Sequence, residues 1–165
     1  MVSSRIDEMS AASDKGIMGV TLTALRQITD ERGSVLHMLR SDAPDFTRFG
    51  ECYFSEILPN AVKAWKRHHM QTQTLAVPIG LIRMVMYDDR VGSVTRKQLQ
   101  VLELGRPDAY FRLCIPSGVW YGFSCLSDTS ALLVNCADML HDPEESDVCL
   151  FDDPMIPYQW KGQPS

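Results

Sequence analysis

The stretch AWKRHHMQTQ, residues 64–73, brings together two histidines, two cations and a tryptophan. Side chains of these types hold a metal, move protons, or decorate the edge of a strand. A metal held on a strand takes imidazoles one residue apart, because alternate side chains share a face. His68 and His69 are adjacent, and no Asp or Glu follows until Asp88. No bound catalytic metal is therefore expected. Two readings stay open. In one, Lys66 and His68, two positions apart and on one face, serve proton transfer beside a carbonyl, or Lys66 forms an imine with a ketone. In the other, Lys66 and His69 face solvent and His68 is a hydrogen-bonded structural histidine. His37 reads as a core or rim residue, and His141 as part of a turn. Met84 and Met86 read as core filler.

The elements that must position these residues are short. Apolar runs VTLTALRQI, GSVLHML, ECYFSEIL, VKAWKRHH, QTLAVPIG, LIRMVMYD, KQLQVLEL, YFRLCIP, WYGFSCL and ALLVNCAD alternate with turn-forming DERG, LPN, DDRVGS, GRPDA, PSG and LSDTS. Such spacing predicts strands in a sandwich or barrel. VTLTAL and KQLQVLEL alternate apolar and polar, as half-exposed strands do. LIRMVMYD is nearly continuous, as a strand covered on both faces is. A short helical segment is expected near DPEESDVCL, where Glu144 and Glu145 suit a first turn.

The chain has 165 residues, 45% hydrophobic and 22% charged, with a net charge of −5. That is the composition of one globular domain. The acidic balance argues against nucleic acid as a partner. No apolar run reaches the roughly 20 residues of a membrane helix. Five scattered cysteines with no CxxC spacing, behind an N-terminus without a signal-type apolar run, point to reduced thiols and a cytoplasmic location. Residues 1–17 read as a flexible tail or arm, and 18–165 as the domain.

Six motifs occur in a telling order: DERGSV (30–35), YFSEILPNAVKAWKRH (53–68), GLIRMVMYDDR (80–90), IPSGVWYGFSCLSD (115–128), DPEESD (142–147) and FDDPMIPYQW (151–160). This order resembles the dTDP-4-dehydrorhamnose 3,5-epimerase family, the RmlC-like cupins, over roughly residues 20–160. The resemblance implies an all-β fold, a cupin-like β-barrel or jelly roll with a short C-terminal helical segment. It implies a homodimer formed by strand exchange. A nucleotide-linked keto sugar binds inside, and neither metal nor cofactor is used. In the family a histidine held by an aspartate removes protons beside the ketone, and a tyrosine protonates the enolate.

Arg32, Gly33, Asp88, Arg90, Pro116, Gly118, Gly122, Phe123 and Asp128 keep the family pattern. The chemical positions depart from it. Lys66 stands at the base histidine, Lys63 at the upstream arginine, Gln73 at a cavity lysine and Met84 at an aspartate. Tyr121 replaces a second histidine, and the acid tyrosine position falls at Val134. The resemblance thus implies an epimerase-like enzyme with non-standard catalytic residues, Lys66, His68 and Tyr121. Arg32, His37, Glu56, Lys63, Gln73, Arg90 and Trp120 are the candidate substrate contacts. Arg32, Lys63 and Arg90 would clamp phosphates, and Trp120, Tyr121 or Trp160 would stack on a base. The alternative is an inactive cupin that binds a sugar nucleotide or serves as a dimeric assembly module.

Overall fold

The computed structural model describes residues 16–161. Twelve strands run in order: β1 (Thr21–Ala24), β2 (Gln27–Asp30), β3 (Gly33–Leu36), β4 (Glu51–Ile57), β5 (Val62–His68), β6 (Gln73–Ile79), β7 (Leu81–Asp88), β8 (Leu99–Gly105), β9 (Phe111–Ile115), β10 (Val119–Cys125), β11 (Ala131–Ala137) and β12 (Ser146–Val148). Two five-stranded sheets form, β1-β9-β6-β11-β4 and β12-β5-β10-β7-β8, and β2 and β3 make a separate hairpin. Every strand pairing among the described residues is antiparallel, as expected for strands that bury one face and solvate the other. The fold is the expected all-β jelly roll. Its container is made by two sheets packed face to face, not by a closed barrel.

Between the sheets lies a core that includes Leu75, Val77, Ile82, Met84, Met86, Leu104, Leu113, Phe123 and Leu133, all buried. Met84 and Met86 are core filler, as read from the sequence. The second sheet is covered on its outer face too. Trp65, Val85, Tyr87 and Trp120 pack there against Ile156 and Trp160 of the C-terminal tail. That double covering explains the unbroken apolar run of β7. Gly122 of β10 permits the close approach: a Cβ there would sit 2.4 Å from Ala64 Cβ and 3.1 Å from Trp160.

The run VTLTALRQI splits into β1 and β2. The expected helix is one 3-10 turn, Pro143–Glu145, capped by Asp142. It then straightens into β12, which pairs with β5. Ser146 is already extended, so the backbone leaves the helical region after three residues. Most of the expected N-terminal arm falls outside the described residues. Ile17, at its end, is buried in the core and its N–H donates to Gln100 Oε1 at 2.9 Å. No helix among the described residues is long and apolar enough to cross a membrane.

Arg90 is not a phosphate clamp in this structure. Its guanidinium holds both oxygens of the fully buried Asp88 at 2.9 Å, and also reaches Met18 O at 2.6 Å. Ser93 and Thr95 hydroxyls each donate to Asp88 Oδ2 at 2.6 Å. Burial alone would raise the Asp88 pKa. The Arg90, Ser93 and Thr95 hydrogen bonds outweigh it and hold the carboxyl well below the usual carboxylate range. A depressed folded-state pKa gives stability that is present above the unfolded value of about 3.9 and is lost as pH falls below it. Asp88→Asn should lower unfolding stability by about 3 kcal/mol at neutral pH, read from urea denaturation, because it strands Arg90 and two hydroxyls. The loss should shrink towards pH 3.

Candidate active site

A cavity of about 300 Å³ opens between the edges of the two sheets. Its walls are Tyr53 and Ser55 of β4, Leu75 of β6, residues 63–66 of β5, Tyr121 and Phe123 of β10, and Leu133 and Asn135 of β11, with Val148 and Cys149 closing one side. Two lysines enter it from β5, although Lys63 and Lys66 are three apart and a regular strand would send them to opposite faces. The register against β10 explains this. Tyr121 pairs with Lys66 but Phe123 pairs with Lys63, so β5 carries one extra residue. This bulge re-aims the strand, so that residues three apart both line the cavity.

Lys63 spans the mouth. Its Nζ donates to Ser55 Oγ at 2.9 Å and to the Glu56 carbonyl at 2.6 Å, tying β5 to β4. Lys66 has no hydrogen-bond acceptor or ion-pair partner among the described residues, and it is one of the residues that line the cavity.

His68 lies on the same face as Lys66 but does not line the cavity. It is buried behind Tyr121, with its ring parallel to the phenol at 6.1 Å between centroids. Its Nδ1 is 2.6 Å from Glu145 Oε2, and its Nε2 is 3.2 Å from the Tyr121 hydroxyl. Burial lowers the His68 pKa, and the nearby Lys66 charge adds to that, against an opposing hydrogen bond from Glu145. Glu145 is itself held below its usual value. Burial works the other way, but hydrogen bonds from the Gln71 and Met70 N–H groups and from His68 prevail. The imidazole is therefore neutral and the carboxylate ionised. With Nδ1–H donating to Glu145, Nε2 is left as the acceptor for Tyr121 O–H. Burial raises the Tyr121 pKa far above that of a free phenol, and the neighbouring Tyr53 and Glu145 add to the rise. The result is a directed chain, Tyr121 to His68 to Glu145, whose far end faces the cavity.

Opposite, Tyr53 projects from β4. Its hydroxyl accepts a hydrogen bond from Asn135 Nδ2 at 2.7 Å. Burial raises its pKa, moderated by that hydrogen bond. Tyr53, Asn135 and Glu145 were not singled out from the sequence as site residues. YFSE read as ordinary strand, and Glu145 lies 77 residues from the histidine it orients.

Several expected contacts lie elsewhere. Trp120 faces the outer layer, with the Arg67 guanidinium 4.7 Å above its ring, so neither it nor Trp160 is placed to stack on a ligand in the cavity. Arg32 pairs with Asp30 at 2.7 Å on the exposed hairpin. The His37 carbonyl accepts from Tyr110 on the far side of the first sheet. Glu56 offers its backbone carbonyl to Lys63, while its side chain alternates away from Ser55. Gln73 is buried behind Asn135 and does not line the cavity. Val134, the expected acid position, packs outside with Ala76 and Tyr110.

The sequence matches the dTDP-4-dehydrorhamnose 3,5-epimerase family over residues 14–165. This chain belongs to that family. It is 30% identical to the spore coat polysaccharide biosynthesis protein SpsL of Bacillus subtilis over 149 residues, covering 89% of this chain and 98% of SpsL. It is 32% identical to the probable low-salt glycan biosynthesis epimerase Agl13 of Haloferax volcanii, over 86% of this chain and 88% of Agl13. Among solved structures, a dTDP sugar isomerase from Desulfovibrio desulfuricans is 52% identical, with a TM-score of 0.87 over 90% of this chain and 94% of the other. The epimerase fold and type of activity expected from the sequence are thus established.

In this epimerase-family site, His68 should titrate below the ordinary imidazole value of 6.5 in nitrogen-detected NMR. Glu145→Gln should lower it further, because the carboxylate is the group that favours the charged ring. An imidazole titrating above 6.5 would contradict the arrangement.

Proposed function

We propose that this protein epimerises a nucleotide-linked 4-keto sugar, such as a dTDP-4-keto-6-deoxy sugar, by removing and returning a proton beside the ketone. The observation that carries the reading is the Glu145–His68–Tyr121 chain ending at the cavity wall beside Lys66. As the Tyr121 oxygen takes the C–H proton of the sugar, its own proton passes to His68 Nε2. The imidazolium so formed is held by the Glu145 carboxylate. The substrate becomes an enolate, and the Lys66 ammonium faces its developing negative oxygen. Charge stays balanced: a neutral sugar and a neutral imidazole become an enolate and an imidazolium, each beside an opposite charge.

Lys66 thus supports the enolate more directly than it would act as the base. A cation in a partly water-excluded cavity stabilises developing charge far better than one in bulk water. The cavity is at the small end of the range for ligand sites, enough for a sugar ring. The nucleotide then lies at the mouth, where Lys63 is the nearest cavity-lining cation.

The homodimer belongs to the same reading. The β2–β3 hairpin joins neither large sheet and leaves Ile28 and Val35 48% and 62% exposed. Pairing with a second copy would cover these side chains and bring Arg32 to a neighbouring site. A cytoplasmic location fits the five cysteines, all free thiols. Light scattering should give twice the 18.6 kDa chain mass.

The deciding assay is solvent deuterium entering the carbons beside the ketone of a dTDP-4-keto-6-deoxy sugar, followed by mass spectrometry. The wild-type protein should exchange them. Tyr121→Phe and Lys66→Ala should each slow exchange by about 10²–10⁴ with the fold intact, the usual contribution of one acid–base or electrostatic group. No exchange by the wild-type protein would overturn the reading.

A further inference from the structure

Inverting a carbon requires the proton to leave by one face and return on the other, so a base on one sheet is not sufficient. We infer that Tyr53 is the second proton-transfer group, the acid that delivers a proton to the enolate from the opposite sheet. This rests on the proposed epimerase reading and deepens it.

The argument is one of hydrogen-bond direction. An Asn side chain has two N–H donors and one carbonyl acceptor. Asn135, 1% exposed, has all three committed. Its oxygen accepts from the Thr74 N–H at 3.2 Å. Its Nδ2 donates to Gln73 Oε1 and to the Tyr53 hydroxyl. Behind it, Gln73 Nε2 donates to Gln71 Oε1 at 2.7 Å, and Gln71 Nε2 donates to the Met139 carbonyl at 2.8 Å. These three amides form one chain whose polarity is fixed at the Met139 carbonyl, which can only accept. Reversing any one amide would set donor against donor.

The consequence falls on the phenol. Tyr53 must accept from Asn135, so its own proton is directed elsewhere. Among the described residues no acceptor takes it, and Tyr53 is one of the residues that line the cavity. Tyr121, on the facing sheet, is wired the other way, with its proton committed to His68. One phenol thus offers a proton to the cavity and the other offers a proton-accepting oxygen. Asn135 and Tyr53 are directly paired across β11 and β4, so the orienting contact is fixed by sheet register.

The step balances. The enolate carbon takes the Tyr53 proton and becomes the inverted C–H centre, leaving a phenolate on Tyr53. The 40% exposure of Tyr53 lets water at the mouth reprotonate it. The imidazolium of His68 returns its proton to Tyr121, whose extra proton leaves to solvent with the product. No oxidant, reductant or further reactant is needed.

Tyr53→Phe removes only the hydroxyl of a half-exposed residue and should fold normally. Its expected signature is a split. Deuterium exchange catalysed from the Tyr121 side should persist within a few-fold of wild type, with the original configuration regained. Net formation of the epimer, read by NMR, should fall by about 10²–10⁴. Asn135→Asp, which replaces a donor with an acceptor and turns the Tyr53 proton inward, should show the same split. Epimer formation by Tyr53→Phe at the wild-type rate would overturn the inference and leave the epimerase reading standing. Loss of exchange and epimer formation together in Tyr53→Phe would also overturn it, placing Tyr53 in substrate binding. Absence of exchange in the wild-type protein would take both down.

Discussion

The buried Glu145 carboxylate joins three parts of the molecule that the chain keeps far apart. One oxygen accepts from the Met70 and Gln71 N–H groups, fixing the turn between β5 and β6. The other holds His68 at the end of β5. Glu145 itself ends the 3-10 turn that leads into β12, the edge strand beside β5. An ionised carboxylate so buried is tolerable only because both oxygens accept hydrogen bonds, two of the three from fixed backbone donors. The same contacts that make the charge affordable decide the tautomer of His68, and the tautomer decides which way Tyr121 directs its proton. The fold and the proposed proton chemistry here depend on one side chain.

The layer outside the second sheet keeps this arrangement stiff. Trp65 packs on Trp160 at 5.1 Å, and Tyr158 meets both rings edge-on, at 6.2 and 4.9 Å. The Trp65 indole N–H donates to the Phe151 carbonyl at 3.1 Å, tying the tail to β5. The chain segment bearing Lys63 and Lys66 is therefore clamped from behind by aromatic side chains while its other face lines the cavity. A bulged strand is locally weaker in its ladder than a regular one. Packing from outside restores the precision that the bulge removes.

Much of the fold was legible because strand period and turn chemistry are local properties. Each expected apolar run became strand, although VTLTALRQI broke in two and the expected helix relaxed into a turn plus β12. The site was less legible, for two physical reasons. Residue type does not reveal face: Trp120 and Arg90 have the chemistry of ligand contacts but are spent on the outer layer and on Asp88. A bulge cannot be seen in a strand of polar and apolar residues, so nothing in KAWK announces that Lys63 and Lys66 share a wall. Lys66 and Tyr121 were singled out because they stand where the family resemblance places reactive groups. Tyr53 and Asn135 were missed because their meaning lies in a cross-strand pair 82 residues apart.

Lys66 links binding to proton transfer. Its charge is one of the influences that lower the His68 pKa, after burial itself. Neutral His68 is the form that can receive the Tyr121 proton. In the proposed reaction, an enolate formed against Lys66 would offset the ammonium field at the imidazole with its negative charge. The opposition to an imidazolium then weakens at the moment one is being made. A cation with no protein counter-ion is what this requires, because a carboxylate paired with Lys66 would already have cancelled its field. Lys63 and Arg67 are engaged with Ser55 and Asp147 respectively. Lys66 is the lysine of β5 left without a partner among the described residues, and in the proposed reaction it is the cation free to answer to the substrate.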